Sequence, residues 1–111
     1  MARTATTTDV FNAVAEASRR HLLDAIGTGE RTVGDLVSRV GLTQPQVSKH
    51  LAVLRAVDVV HVRDDGRLRW YRVNGPALQP IHAWVRTFER TWNERLDLLD
   101  APLTDLQEET R

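Results

Sequence analysis

The chain has no cysteine in its 111 residues. Disulfides and thiolate metal sites are therefore excluded. The four histidines are widely scattered and the six glycines are isolated, so neither a Ser-His-Asp arrangement nor a phosphate loop is present. We expect no metal, no cofactor and no catalytic site, and hence a protein that is not an enzyme.

Long apolar runs are also missing. No segment has the roughly 18 uncharged apolar residues of a membrane span, and the Thr-rich residues 1–8 lack the apolar core of a signal peptide. These features predict a cytoplasmic protein with no membrane partner. The length suits one packed domain. We predict a disordered N-terminal arm at residues 1–8, one domain at residues 9–100 and a flexible acidic tail at residues 101–111.

The formal charge is zero, because 15 basic residues balance 15 acidic ones. The charges are nevertheless unevenly placed. Residues 31–74 carry eight Arg or Lys and four acids, whereas residues 1–30 carry three Arg and four acids and residues 75–111 carry four Arg and seven acids. Attraction to a phosphate backbone depends on where positive charge is concentrated. The middle of the chain is therefore the candidate nucleic-acid-binding part.

Apolar spacing and terminator residues predict a mainly α fold with a small β-hairpin (α+β), namely five helices and a two-stranded wing. The sequence Thr43-Gln44-Pro45-Gln46 has the spacing of a capping box, and Asp65-Gly66 favours a tight hairpin turn. The helices are expected near residues 9–16, 18–26, 32–40, 44–57 and 77–100, and the strands at 59–63 and 68–73.

The order of these elements is that of a winged helix-turn-helix, since only Gly41-Leu42-Thr43 separates the third helix from the fourth. Val47, Leu51 and Leu54 should face the core and turn the polar side of helix 44–57 towards the DNA major groove. The alternative for these polar residues is an ordinary solvated helix face. The predicted DNA-binding residues are Gln44, Pro45, Gln46, Ser48, Lys49, His50, Arg55, Arg63, Arg67 and Arg69.

Two of these predictions carry specific alternatives. His50 could instead brace its helix against the hairpin or bond to a backbone group. The wing arginines could be ordinary exposed strand residues that keep an edge soluble. Asp64 and Asp65 weaken the positive charge of the wing. We expect them to point away from the phosphates if the wing binds DNA.

The last predicted helix carries an apolar stripe at helical spacing along its whole length. Such a stripe packs either against the chain's own core or against a partner helix, and pairing of two chains is the interpretation we favour. The stripe consists of Leu78, Ile81, Val85, Phe88, Trp92, Leu96 and Leu99.

The residues from Thr43 to Arg55, with the hairpin that ends in Trp70-Tyr71-Arg72-Val73, closely resemble the arsenic-repressor (ArsR) family of winged-helix regulators. The resemblance covers about residues 9–99. It implies a homodimer formed by the first and last helices, which adds Phe11 and Val14 to the interface. It also implies binding to an imperfect inverted repeat in duplex DNA and, usually, repression.

The chain departs from this family at the positions of its metal ligands. Metal sensors that it resembles carry a Cys-containing motif where this chain has Asp35-Leu36-Val37-Ser38, or paired His ligands where it has Asn93 and Leu96. The resemblance therefore does not extend to metal sensing. Two alternatives remain open: a winged-helix module that binds another protein, and a regulator released by a small apolar ligand near Trp84, Phe88 and Trp92.

Overall fold

The structure, a computed structural model, describes residues 9–110, with side chains described for residues 9–96. The predicted N-terminal arm at residues 1–8 lies outside the described residues, as does the side chain of Leu99. The elements in chain order are α1 (Val10–Ala15), α2 (Ala17–Ile26), β1 (Glu30–Arg31), α3 (Val33–Val40), α4 (Gln44–Ala56), β2 (Val60–Asp65), β3 (Leu68–Val73), a short 3-10 helix (Gly75–Leu78) and α5 (Gln79–Thr110).

Thr43 and Gln46 form the predicted capping box at the start of α4. The Thr43 side chain accepts a hydrogen bond from the Gln46 amide, and the Gln46 side chain accepts one from the Thr43 amide. This exchange satisfies two backbone donors that a helix start otherwise leaves without partners. Gly41 ends α3 with a φ of 72°, a left-handed conformation that glycine adopts without steric cost. The tight connection between α3 and α4 therefore has a clear local cause.

The core forms where the apolar faces of the helices meet the sheet. Val47 and Leu54 are completely buried, and Leu51 is 1% exposed, so one face of α4 is fixed inward. Burial of each such side chain contributes on the order of 1.5–3 kcal/mol. The other core residues include Leu22, Ile26, Leu36, Val59, Val60 and Tyr71.

The sheet has three strands in the order β1-β3-β2, all antiparallel. The predicted fold class is confirmed, with one added strand: β1 pairs Glu30 with Arg72 and Arg31 with Tyr71. Two residues are too few to show an alternating pattern, which is why the sequence did not reveal β1. The hairpin turn is Gly66-Arg67, one residue later than predicted, because Asp65 still pairs with Leu68.

Helix α5 begins at Gln79 and continues to Thr110. The predicted end near residue 100 was wrong, because Pro102 removes a single helical hydrogen bond, which can kink a helix without ending it. The flexibility expected of residues 101–111 stays a prediction. Residues up to Pro80 form one compact unit and residues from Ile81 onward form a second. None of the helices in residues 9–110 has both the length and the apolar content that a membrane span requires.

Candidate nucleic-acid interface

The polar side of α4 is exposed as the sequence predicted. Successive helix positions differ by about 100°, so the inward direction of Val47, Leu51 and Leu54 turns Pro45 and Lys49 to the far side of the helix. Ser48 and Arg55 lie on one flank. All of the predicted α4 contact residues except His50 are exposed: Gln44, Pro45, Gln46, Ser48, Lys49 and Arg55.

The two glutamines at the start of α4 differ in what they can still bind. The Gln46 side-chain oxygen accepts hydrogen bonds from the Thr43 amide at 2.9 Å and the Thr43 hydroxyl at 3.1 Å. A bidentate contact to adenine requires both the oxygen and the nitrogen of a side-chain amide. Gln44 is therefore better placed than Gln46 for such a contact.

His50 lies on the opposite flank of α4 from Ser48 and is only 15% exposed. Its Nδ1 is 3.3 Å from an Arg19 guanidinium nitrogen and 3.5 Å from a carboxylate oxygen of Glu16. Arg19 also donates to the carbonyl of Ala13, at the end of α1. His50 thus braces α4 against the junction of α1 and α2, and not against the hairpin as the alternative prediction had it. Its contact with DNA stays a prediction.

A groove of about 490 Å³ runs between α4 and β3. Ser48, Arg55 and Arg69 line it, and Tyr71 lies at its base. We call this the α4–β3 groove. It places two guanidinium groups beside the exposed face of α4, as a phosphate backbone passing between a recognition helix and a wing would require.

A second groove, of about 330 Å³, lies at the start of α4. Gln44 and the first residues of α3 line one part of it, and Arg67 and Arg69 line the other. We call this the α3–wing groove. Arg69 borders both grooves, so the structure brings this wing residue next to α4.

Arg69 is held by an acidic neighbour. Its Nε lies 3.1 Å from a carboxylate oxygen of Asp64, its register partner across the hairpin. This hydrogen bond raises the pKa of Arg69 above its ordinary value. The two side chains meet because opposite charges on paired strands attract across the ladder. The expectation that Asp64 and Asp65 point away from the phosphates stays a prediction.

Arg63 lies on the other face of the sheet. It pairs with Trp70, and because side chains alternate along a strand, both point away from the face that carries Tyr71. Two of its guanidinium nitrogens contact the carboxylate of Glu30 at 2.8 and 3.1 Å, and its Cζ lies 5.8 Å from the Trp70 ring centroid. This placement favours a structural role for Arg63, linking β2 to β1 across β3, and its DNA contact stays a prediction.

Comparison with known proteins agrees with this geometry. A family model described as bacterial regulatory protein, arsR family, matches residues 17–62. The transcriptional repressor SdpR of Bacillus subtilis is 30% identical over 80 residues, which are 72% of this chain and 89% of SdpR. The arsenical resistance operon repressor of Staphylococcus aureus is 31% identical over 72 residues, 65% of this chain and 69% of that protein. The crystal structure of NolR from Sinorhizobium fredii matches with a TM-score of 0.61 and 27% identity, covering 78% of this chain and 88% of NolR.

The chain belongs to the arsR family of bacterial regulatory proteins. Membership confirms the winged helix-turn-helix prediction and makes the chain a DNA-binding transcription regulator rather than an enzyme. Among the proteins that match in sequence, the chain spans 89% of the length of one and 56% of the length of another. What those whole proteins bind is therefore carried over only as a proposal.

Metal-binding side chains are not grouped together in the part of this arsR-family chain whose side chains are described, residues 9–96. Across the described residues, no group of three or more His, Cys, Asp or Glu side chains lies close enough together to hold a metal ion. The whole sequence also lacks cysteine.

The predicted dimer residues on α5 form an exposed apolar face in the single chain. Phe88 is 52% exposed and Trp92 is 61% exposed. Trp84 packs edge-on against Phe88 with ring centroids 5.2 Å apart. The other residues of this face that are at least one-third exposed are Val85 and Leu96, while Ile81 is half-buried. Leu78, which was also predicted at the interface, lies in the 3-10 helix before α5 and is half-buried. In α1, Phe11 is exposed and Val14 is half-buried.

The Arg63–Glu30 pair should make the stability of this arsR-family fold depend on pH. Hydrogen bonds from Arg63 hold the pKa of Glu30 below its ordinary value of 4.5. A carboxylate of this kind stabilises the folded state fully above its unfolded-state pKa and loses that effect as the pH falls through the lowered value. Glu30→Gln should therefore lower the Tm at neutral pH, and the difference from wild type should shrink below pH 4.5.

Thermal melts of wild type, Glu30→Gln and Arg63→Gln across this range measure the effect. Arg63→Gln should show the same pH-dependent loss, because it removes the other half of the pair. A Tm difference between wild type and Glu30→Gln that stays constant with pH would contradict the assignment.

Proposed function

We propose that the chain is a homodimeric transcriptional repressor that binds an inverted-repeat operator in duplex DNA. One α4 helix enters the major groove of each half-site, and the hairpin of β2 and β3 lies along the phosphate backbone. The observation that carries the proposal is the fixed orientation of α4. Its buried face holds Gln44, Ser48 and Lys49 outward, and Gln44 and Ser48 each line one of the two arginine-lined grooves.

Each exposed residue has a chemically suitable target in that arrangement. The free side-chain amide of Gln44 fits the paired donor and acceptor of adenine, and Lys49 fits the acceptors of guanine or a phosphate. Arg55, Arg67 and Arg69 supply positive charge to the backbone. Pro45 can contribute only apolar contact, for example with a thymine methyl group.

The charge distribution supports a limited number of phosphate contacts. Among residues 9–96, Lys49, Arg55 and Arg67 form no ion pair within the chain. These cations need not leave an internal partner when they meet DNA. A neutral chain can therefore still present a positive surface on the side where α4 is exposed.

The exposed apolar face of α5 supports pairing of two chains. Contiguous exposed aromatic and aliphatic side chains at this density mark an interaction surface. A two-fold dimer would place two α4 helices about 34 Å apart, one turn of DNA, and thereby match an inverted repeat. Phe11 and Val14 of α1 are the second predicted contribution to this interface.

Repression is proposed from the relatives, since SdpR and the arsenical resistance regulator are both named repressors. Occupancy of the operator would exclude other proteins from the same DNA. A cytoplasmic location follows from this role. An effector that releases the DNA stays a prediction, and the aromatic residues suggested for its pocket, Trp84, Phe88 and Trp92, are each more than half exposed in the single chain.

Lys49→Ala should weaken binding to the duplex that the wild-type protein selects from a random pool. Loss of a base contact costs about 1–3 kcal/mol, which fluorescence anisotropy measures as a higher Kd. Arg90→Ala is the matched control, because it also removes one exposed positive charge but lies on α5. Equal effects of the two substitutions, or equal wild-type affinity for selected and scrambled duplexes, would overturn the assignment of α4 as the reading helix.

Phe88→Asp should convert the protein to a monomer, because it places a charge within the apolar face of α5. Sedimentation equilibrium would measure the change. Thr87→Asp adds the same charge one residue away, outside the apolar stripe, and should leave the dimer intact. A monomeric wild type, or a Phe88→Asp protein that remains dimeric, would rule out this interface.

A further inference from the structure

The Asp64–Arg69 ion pair lies on the face of the hairpin that is turned towards α4. Asp64 and Arg69 are register partners, and residues two apart on a strand point to the same face, so Arg69 shares the face of the buried Tyr71. Asp64 therefore lies on the same side. The carboxylate occupies one side of the guanidinium that borders both the α4–β3 groove and the α3–wing groove.

This position puts a carboxylate where the proposed function requires a phosphate. A backbone phosphate that entered either groove would meet Arg69, and it would present the same kind of acceptor oxygens as Asp64. Arg69 cannot satisfy both fully with the nitrogen that now contacts Asp64. A phosphate that takes this nitrogen therefore replaces Asp64, and a phosphate that takes the other guanidinium nitrogens meets a positive charge that Asp64 already offsets in part.

We propose that Asp64 sets the affinity of this regulator for DNA by competing with backbone phosphates for Arg69. The inference rests on the proposed function, since it needs DNA to bind along α4 and the wing. Both side chains are well exposed, Arg69 by 55% and Asp64 by 70%, and exposed ion pairs are weak because water screens them. The pair is thus weak enough for a phosphate to replace it.

Competition for Arg69 differs from simple repulsion between an aspartate and DNA. Asp65 provides the comparison, because it is the next residue and carries the same charge. It pairs instead with Arg63, at 3.6 Å, and Arg63 has a second and shorter contact with Glu30, at 2.8 Å. Asp65→Asn therefore removes an acid from the wing without releasing a guanidinium beside α4.

The experiment compares wild type, Asp64→Asn and Asp65→Asn. Each of the three is then measured again with the additional substitution Arg69→Gln. Fluorescence anisotropy gives the Kd for the selected duplex and for a scrambled one at a single salt concentration. Asp64→Asn should raise affinity about two- to fivefold more than Asp65→Asn does, the range expected for releasing an exposed ion pair. The gain should be equal for both duplexes, because phosphate contacts carry no sequence information.

The Arg69→Gln background identifies the cause. Without the guanidinium, Asp64→Asn and Asp65→Asn should raise affinity by the same factor. An excess that persists in this background, or no excess with Arg69 present, overturns the role of Asp64. Matching Tm values would show that all variants are folded.

Failure of the inference and failure of the proposed function give different results. If wild type binds no duplex, or binds selected and scrambled duplexes equally, the proposed function fails. If wild type discriminates between the duplexes and the two aspartate variants behave alike, only the role of Asp64 is wrong.

Discussion

The burial of one face of α4 is the constraint on which the rest of the molecule depends. Val47, Leu51 and Leu54 are fully or almost fully enclosed, and they fix the rotation of the helix about its own axis. A rotation by one residue, about 100°, would expose these side chains and bury polar ones. The identity of the outward residues is therefore a consequence of core packing. The capping box at Thr43 adds a defined starting point, so the helix is fixed in rotation and in length.

The hairpin adds a different kind of control, which is electrostatic. Two of its arginines already have acidic partners, and these partners lie on opposite faces of the sheet. One pair links three strands and the other stands beside the recognition helix. A count of arginines in the wing would overstate the charge that DNA meets, because the chain supplies its own competing carboxylates. This balance is consistent with a regulator whose formal charge is zero.

Local patterns were sufficient to predict most of the fold. Helix periodicity identified α1 to α4, the residues of the capping box identified the start of α4, and alternation identified β3 at its observed bounds. These signals are local because each depends on residues within a few positions of one another. The two differences have equally physical explanations: β1 was missed because it is two residues long, and the end of α5 was placed too early because the helix continues past a proline.

The candidate site was harder to predict, because its decisive contacts join distant parts of the chain. Glu30 and Arg63 are 33 residues apart, and Arg19 and His50 are 31 apart. No periodicity connects such residues, so the sequence could not separate the side chains that are exposed and available for binding from those that brace the fold. It correctly placed Gln44, Ser48 and Lys49 on an exposed helix face. It did not anticipate that His50 lies against the junction of α1 and α2, or that Arg63 lies behind the sheet.

The central claim is that α4 reads the major groove. Dimethyl sulfate interference tests it most directly, because methylation of guanine at N7 alters the major-groove edge, whereas methylation of adenine at N3 alters the minor groove. On the duplex selected by the wild-type protein, guanine N7 methylation should block binding at two clusters of positions about one helical turn apart. Binding that tolerates every guanine N7 methylation, or interference confined to adenine N3, would contradict the account.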